Sequence, residues 1–251
     1  MKLKLRNSEG RPIFCSKPYD TPFHLREMYE KELKSCLEAG QIVPCGTEPS
    51  QLSSKAFPVP KSDEKSVRIV TDFKQLNKNI ERPNWPTESS GQLLRHIDPG
   101  ACYCVSCDLT SGYHQIALDE ESSNLLCSST PMGRYKFTVL AQGVCSSSDI
   151  FNYLTDGSMR RDSSGALKNM ADILLYGKDL KELKLKLENF LSFAKDKNLK
   201  LKPSKLQIGE QVTSGGVVIS AELVKNEKVV CVLPKDQRIQ VFYDLKKPQS
   251  K

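Results

Sequence analysis

Hydrophobic and polar positions along this chain fall into blocks of two periods, and the order of the blocks can be read before any chemistry is considered. Residues 1–20 mix Lys2, Lys4, Arg6, Gly10 and Pro18 without a period and predict an extended lead-in. Thr21 as an N-cap, with Pro22 at the first helical position, opens a predicted amphipathic helix. Its apolar face would carry Phe23, Met28, Leu33 and Leu37, and Gly40 would stop it. Residues 42–60 are punctuated by Pro44, Gly46, Pro49, Pro58 and Pro60, so they support only short edge strands and turns. Residues 66–73 alternate as a strand should, with 61–65 as the hairpin turn before them. Residues 75–86 carry Asn77, Asn79, Pro83 and Pro86 and predict a connecting loop, with Trp85 as a packing anchor.

The second half is more regular. Residues 101–108 make the best strand pattern in the chain and deliver Asp108 at its end, followed by small and polar residues suited to a tight turn. Residues 131–140 alternate Arg134 and Lys136 with Tyr135 and Phe137, a half-buried strand. Gly143 begins a turn into a helix that several serines could cap, and residues 156–165 read as a polar loop. Leu180, Leu183, Leu187, Phe190, Leu191 and Ala194 recur at three and four residues, the clearest helix of the sequence. Residues 208–219 then predict a hairpin or bulged strand, 222–233 further short strands, and 237–245 the start of a helix broken by Pro248.

Two of these blocks carry carboxylates. Asp172 lies in the apolar run 169–176, expected to be a buried strand or hairpin, where an acid needs a cation or hydrogen-bond donors to stay charged. With Asp108 it reads as half of a metal site. Lys61 and Arg68 would sit on the two arms of one hairpin, as surface cations or as a grip for a triphosphate. The pair Cys104 and Cys107 lacks a second ligand pair at zinc spacing, so both read as buried strand cysteines. His114, alone after a turn, reads as structural.

Composition narrows the class. With 38% hydrophobic and 27% charged residues in 251, the chain is an ordinary globular polypeptide, neither disordered nor collagen-like. It has no run of eighteen apolar residues and no leader pattern after Met1, so an intracellular, non-secreted protein with no membrane partner is expected. Nine scattered cysteines fit reduced thiols in a reducing compartment. The net charge of +7 is concentrated at residues 178–205, where nine lysines face four acids (Asp179, Glu182, Glu188 and Asp196). That local +5 is either a solvated helix face or a surface for a polyanion.

Four segments in this order carry a resemblance: Val67-Arg68-Ile69-Val70-Thr71-Asp72-Phe73-Lys74-Gln75-Leu76-Asn77-Lys78, Asp108-Leu109-Thr110-Ser111-Gly112-Tyr113-His114-Gln115-Ile116, Leu140-Ala141-Gln142-Gly143 and Met170-Ala171-Asp172-Ile173-Leu174. Together they resemble the reverse transcriptase domain of gypsy-type LTR retrotransposon Pol polyproteins, over about residues 21–251. The resemblance implies an α+β right-hand polymerase, fingers plus a palm whose antiparallel sheet is backed by helices, with the thumb essentially absent. The implied layout is a lead-in over 1–20, mainly fingers over 21–100, mainly palm over 101–233 with fingers returning around 117–150, and a truncated start of the thumb or connection over 234–251.

The implied activity is RNA-directed DNA synthesis with two Mg2+ ions, or Mn2+ as a substitute. Expected partners are an RNA or DNA template with primer, deoxynucleoside triphosphates and the rest of a Pol polyprotein, in the cytoplasm or a retroelement particle. By position Asp108 is similar to the first metal-binding aspartate, with the Leu109 carbonyl as a further ligand, and Asp172 to the second aspartate of Tyr-x-Asp-Asp. Lys61 and Arg68 resemble the triphosphate grip, Tyr113 the residue excluding a 2′-hydroxyl, and Gln142 a nucleotide contact. Lys202 or Lys205 resembles a lysine near the leaving pyrophosphate.

The departures matter equally. Asn169 stands for the tyrosine of the motif, and Ala171 for its first aspartate, the ligand that bridges both metals in the family. Ser214-Gly215-Gly216 departs from the usual primer-gripping hairpin. Weak or absent metal-dependent synthesis is therefore expected, and the alternative is an inactive retroelement remnant that only binds nucleic acid.

Overall fold

In the computed structural model, residues 1–6, 14–46, 52–61, 63–86, 96–98, 100–159, 166–215, 217–224, 227–234 and 241–242 are described. They divide into two units, one of residues 1–85 and 113–151, the other of residues 86–112 and 152–251.

The first unit is built on a six-stranded sheet. Its strands are β1 (Phe14–Cys15), β2 (Ile42–Pro44), β3 (Leu52–Pro60), β4 (Val67–Asp72), β6 (Cys127–Thr130) and β7 (Gly133–Phe137), in the order β1-β3-β6-β7-β2 with β4 on β3. β3 and β4 form the expected hairpin, with Val59 opposite Arg68. Its turn is held by the Asp63 carboxylate, which accepts from the backbone N–H of Lys65 at 3.1 Å and of Ser66 at 3.2 Å. The core under the sheet gathers Leu52, Phe73, Leu76, Ile80, Leu126, Leu140, Ala141, Val144 and Ile150.

Helix α1 (Phe23–Glu38) starts one residue later than expected: Pro22 is extended (φ −52°, ψ 139°) and is itself the N-cap, with no side-chain cap. Its buried stripe is Leu25, Tyr29 and Leu33, each four residues apart, so Phe23 falls off that face and is 87% exposed. The segment expected to be a loop contains one helical turn, α2 (Lys74–Asn77), started by the Asp72 carboxylate accepting from Lys74 N–H at 3.0 Å. Helix α3 (Glu120–Leu125) precedes β6 and is capped by Asp119, whose carboxylate accepts from Ser122 N–H. Helix α4 (Ser147–Met159) runs through Asp156 and Gly157, which the sequence placed in a loop; the buried Ile150, Phe151 and Thr155 anchor it, and tertiary packing overrides local polarity.

The second unit carries two four-stranded sheets. The first has the order β10-β5-β9-β8, from β5 (Tyr103–Asp108), β8 (Ala166–Asn169), β9 (Asp172–Gly177) and β10 (Gln207–Gly209). Helix α5 (Leu180–Asp196) packs on β5 and β9 through Leu183, Phe190, Phe193 and Ala194. Asp179 caps it by accepting from Glu182 N–H at 2.8 Å, while the Glu182 carboxylate reaches back to Lys178 N–H at 2.8 Å, close to a capping box. Gly177 admits the helix, since a Cβ there would lie 2.9 Å from the Leu183 nitrogen.

The second sheet is β11 (Gln211–Ser214), β12 (Val217–Val224), β13 (Glu227–Pro234) and β14 (Val241–Phe242), in that order. Of the hairpin or bulged strand expected over 208–219, β11 and β12 make the hairpin, while β10 pairs instead with β5. Val241 and Phe242, expected in a helix, pair with Val232 and Cys231, as a β-branched and an aromatic residue favour. The remaining residues of 237–245 lie outside the described residues, as do 160–165 and Gly216. Among the described residues no helix is long and apolar enough to cross a membrane.

Candidate active site

The order of strands in the second unit brings the two carboxylates together. β5 and β9 are antiparallel central neighbours, and their register ends on Asp108 opposite Asp172. Both strands are mostly buried, and Asp108 at the end of β5 and Asp172 at the start of β9 sit where burial is only partial. The hairpin β8–β9 closes Asn169 against Asp172 and leaves Met170 and Ala171 as its two-residue turn. Met170 has φ 55° and Ala171 is absent from the positive-φ residues, the pattern of a type II′ turn, which ordinarily favours glycine at its first position. A β-unbranched residue held there is strained, and Asn152 supports it by donating to the Met170 sulfur at 3.4 Å.

The turn is tied to β5 as well. Leu109 N–H donates to the Ala171 carbonyl at 3.0 Å, which sets the Ala171 backbone beside the end of the Asp108 strand. Across Leu109, Lys202 N–H donates to the Asp108 carbonyl at 2.8 Å and Thr110 N–H to the Lys200 carbonyl at 2.8 Å. This bridge delivers the 3-10 turn Pro203–Lys205, and the Lys205 ammonium donates to the Asp108 carboxylate Oδ2. Of the two candidate lysines, Lys205 is therefore the one whose amine meets the acid, whereas Lys202 bonds through its backbone.

Burial pushes the Asp172 carboxyl above the usual carboxylate range, and the facing Asp108 charge adds to it. The Lys205 ammonium and a hydrogen bond from Gly215 N–H oppose that rise. The site is thus two facing acids with one cation in contact with Asp108. Among the described residues no cluster of three or more His, Cys, Asp and Glu is gathered. Ala171, in the turn between Asn169 and Asp172, contributes no ligating side-chain atom. Cys104 and Cys107, behind the site on β5, are free thiols that burial pushes up to about 11.

The other predicted residues belong to the first unit. Lys61 follows β3 and pairs with Glu32 at 3.5 Å, while Arg68 is exposed on β4. Tyr113, in the 3-10 turn Gly112–Gln115, stacks edge-on against Phe151 at 5.2 Å, with its hydroxyl 3.2 Å from that of Ser148. Gln142 is exposed at the bend before α4. Gly143 has φ +97° beside the Thr71 carbonyl, so glycine is required there.

Sequence reasoning missed what holds that bend. The Asn77 amide donates to the Gly143 carbonyl at 3.0 Å and accepts from Cys145 N–H at 2.9 Å, bracketing Val144, just after Gln142 and Gly143, from α2. Asn77 lies inside a quoted motif, but on a turn that also carries Lys74 and Gln75 its polarity does not set it apart.

A family model described as "Reverse transcriptase (RNA-dependent DNA polymerase)" matches residues 59–227. The Retrovirus-related Pol polyprotein from transposon 412 of Drosophila melanogaster is 28% identical over 86% of this chain and 18% of its own length. That from transposon gypsy, also of Drosophila melanogaster, is 24% identical over 89% of this chain and 22% of its own. Among solved structures, the foamy viral protease-reverse transcriptase dRH in complex with double-stranded DNA superposes with a TM-score of 0.75 at 19% identity, covering 85% of this chain and 37% of that one. The same protein in complex with an RNA/DNA hybrid gives 0.73 at 19% identity, over 82% and 27%.

Proposed function

The chain belongs to the reverse transcriptase (RNA-dependent DNA polymerase) family, and from that membership we propose that it is the fingers and palm of a retrotransposon DNA polymerase with an impaired metal centre. Its fold is the mixed α/β fingers-and-palm architecture of right-hand polymerases. The chain spans about a fifth of the length of the transposon Pol polyproteins it matches, so the remainder of such a polyprotein is a proposed partner. In this reading the unit of residues 1–85 and 113–151 acts as fingers and the other as palm.

One observation carries the proposal: Asp108 and Asp172 end adjacent strands in register, with Ala171 at the turn between β8 and β9. Reverse transcriptases work with divalent metal ions, and we assign Mg2+ here because two carboxylates are hard oxygen donors suited to it. The donor set fits one ion held by Asp108 and Asp172, with the Leu109 carbonyl as a candidate third donor. It does not fit a carboxylate-bridged pair, because an alanine methyl cannot ligate a cation. When bound, such an ion supplies charge neutralisation and lowers the pKa of a bound hydroxyl.

The roles left to the side chains follow from their chemistry. Asp108 and Asp172 hold the cation, and Lys205 offsets negative charge at Asp108. Lys61 and Arg68 grip the triphosphate, one as a point charge and the other as a planar fork. Tyr113 excludes a ribose 2′-hydroxyl, and Gln142, directly before the segment that Asn77 holds, touches the nucleotide. Template and primer are the nucleic-acid partners, as the neighbours bound to an RNA/DNA hybrid and to duplex DNA suggest.

The Lys205 contact favours a second reading, a remnant that binds nucleic acid without copying it, because a cationic side chain already sits on Asp108. Calorimetric titration of Mg2+ and Mn2+ into the chain tests the assignment. Asp108→Asn should abolish binding, and Lys205→Ala should tighten it by removing a competing cation. Equal affinities in all three chains would remove Asp108 from the site.

A further inference from the structure

A pair of thiols lies in the first unit, and no step above uses it. Pro44, at the end of β2, is opposite Tyr135 of β7, and Cys45 continues that pairing by donating its N–H to the Arg134 carbonyl at 3.0 Å. On the other side of β7, Cys127 of β6 is opposite Lys136. The two cysteines thus flank one strand on the same face, and their sulfurs lie 2.8 Å apart. Both are free thiols. Cys127 is 2% exposed and Cys45 only half-buried, so the pair has a sealed member and an approachable one.

We propose that Cys45 and Cys127 are a peroxide-oxidisable dithiol that closes to a reversible intrachain disulfide. The sulfurs lie 2.8 Å apart, within reach of the about 2.05 Å of an S–S bond once the side chains turn to the dihedral that bond needs. The surroundings favour the anion that the reaction needs. The Cys45 thiol hydrogen-bonds the Cys127 sulfur, and the Arg134 guanidinium approaches that sulfur at 3.7 Å. Together they pull the first ionisation of the pair below the ordinary thiol range against the opposing effect of burial, while the remaining proton is held more tightly between the two sulfurs.

The chemistry balances with a peroxide as the oxidant. The proton that Cys45 shares with the Cys127 thiolate first passes to Cys127, and Cys45, the more exposed sulfur, then attacks one peroxide oxygen as the thiolate. An S–O bond forms, the O–O bond breaks, and the departing hydroxide takes up a proton to leave as water. The Cys127 sulfur then attacks the Cys45 sulfenic sulfur. The S–S bond forms, the S–O bond breaks, and the released hydroxide takes the Cys127 proton to give a second water. Two thiols have lost two electrons, and the peroxide has gained them. Closure joins β2 to β6 around a loop from residue 45 to residue 127, long enough for a large effect on the unfolded state.

The test uses the full chain and hydrogen peroxide. After treatment, free thiols are alkylated and the chain is digested without reductant for mass spectrometry. The expected product is one cross-linked pair of peptides bearing Cys45 and Cys127, lighter by two hydrogens and separated by dithiothreitol, together with a higher melting temperature of the oxidised chain. Cys45→Ser should lose the cross-link, and Cys45→Ala with a native circular dichroism spectrum should lose it too. Recovery of both thiols alkylated, under conditions that oxidise the exposed Cys15, would overturn the proposal. So would cross-links that join either thiol to a different cysteine.

Discussion

Asn77→Ala removes two hydrogen bonds that fix the bend from Gly143 to Cys145, and the two halves of the amide differ in what replaces them. The Gly143 carbonyl, reached at 3.0 Å in an exposed setting, can turn to water. The Cys145 N–H, held at 2.9 Å in a partly buried setting, is less able to do so and bears most of the penalty. With a net value of roughly 0.5–1.5 kcal/mol per bond, the loss should come to about 1–2 kcal/mol. For a chain of this size that corresponds to a fall in melting temperature of about 2–8 °C.

Asn77→Asp separates the halves, because a carboxylate keeps the acceptor for Cys145 and lacks the donor for Gly143. It should lie between wild type and Asn77→Ala. Denaturant titration followed by the emission of Trp85, the only tryptophan and part of the same unit, reads the change where it occurs. Nucleotide affinity should weaken in parallel if Gln142 depends on the bracket. Equal stability of wild type and Asn77→Ala, within roughly 0.5 kcal/mol, would refute the reasoning.

Other predictions concern the second unit. Gly177→Ala places a Cβ 2.9 Å from the Leu183 nitrogen and 3.3 Å from the Asp179 carbonyl, backbone atoms that cannot swing aside. It should cost about 1–3 kcal/mol by denaturant titration, and a neutral result would contradict the close packing of α5 on β9. Asp172 has its folded pKa raised, so the native state binds the extra proton between the unfolded value near ~3.9 and the raised one. That contribution to stability is present in acid and lost as pH rises through the folded pKa. In chelator, Asp172→Asn should therefore gain on wild type from about pH 4 towards neutrality, and melting curves that stay parallel across that window would count against a charged Asp172 facing Asp108.

What could be read from the sequence was whatever a local pattern encodes. The alternation over 66–73 and 101–108 became β4 and β5, and the three-and-four spacing from Leu183 to Ala194 became α5. Asp108 and Asp172 were legible as acids at the ends of apolar runs, but their register depends on how two strands 60-odd residues apart align, which no local period contains. Phe23 misled because it lies two residues before Leu25, on the side of the helix opposite the buried stripe of Leu25, Tyr29 and Leu33. Asp156 and Gly157 looked like loop residues and are helical because packing upstream extends α4. Lys205 and Asn77 act through single long-range hydrogen bonds, which composition does not reveal and only the folded chain brings about.

The account turns on Ala171. Primer extension on an RNA template with Mg2+, comparing the chain as it stands with Ala171→Asp, tests the proposed role of that position directly. The original chain should extend the primer weakly or not at all. The aspartate, placed on the turn whose carbonyl bonds Leu109 N–H and next to Asp172, should raise extension by a factor of ten or more, roughly the 1.4 kcal/mol or more expected of one restored electrostatic contact in a transition state. An aspartate variant that binds primer-template normally and gains no synthesis would contradict the assignment of Ala171 to the metal centre.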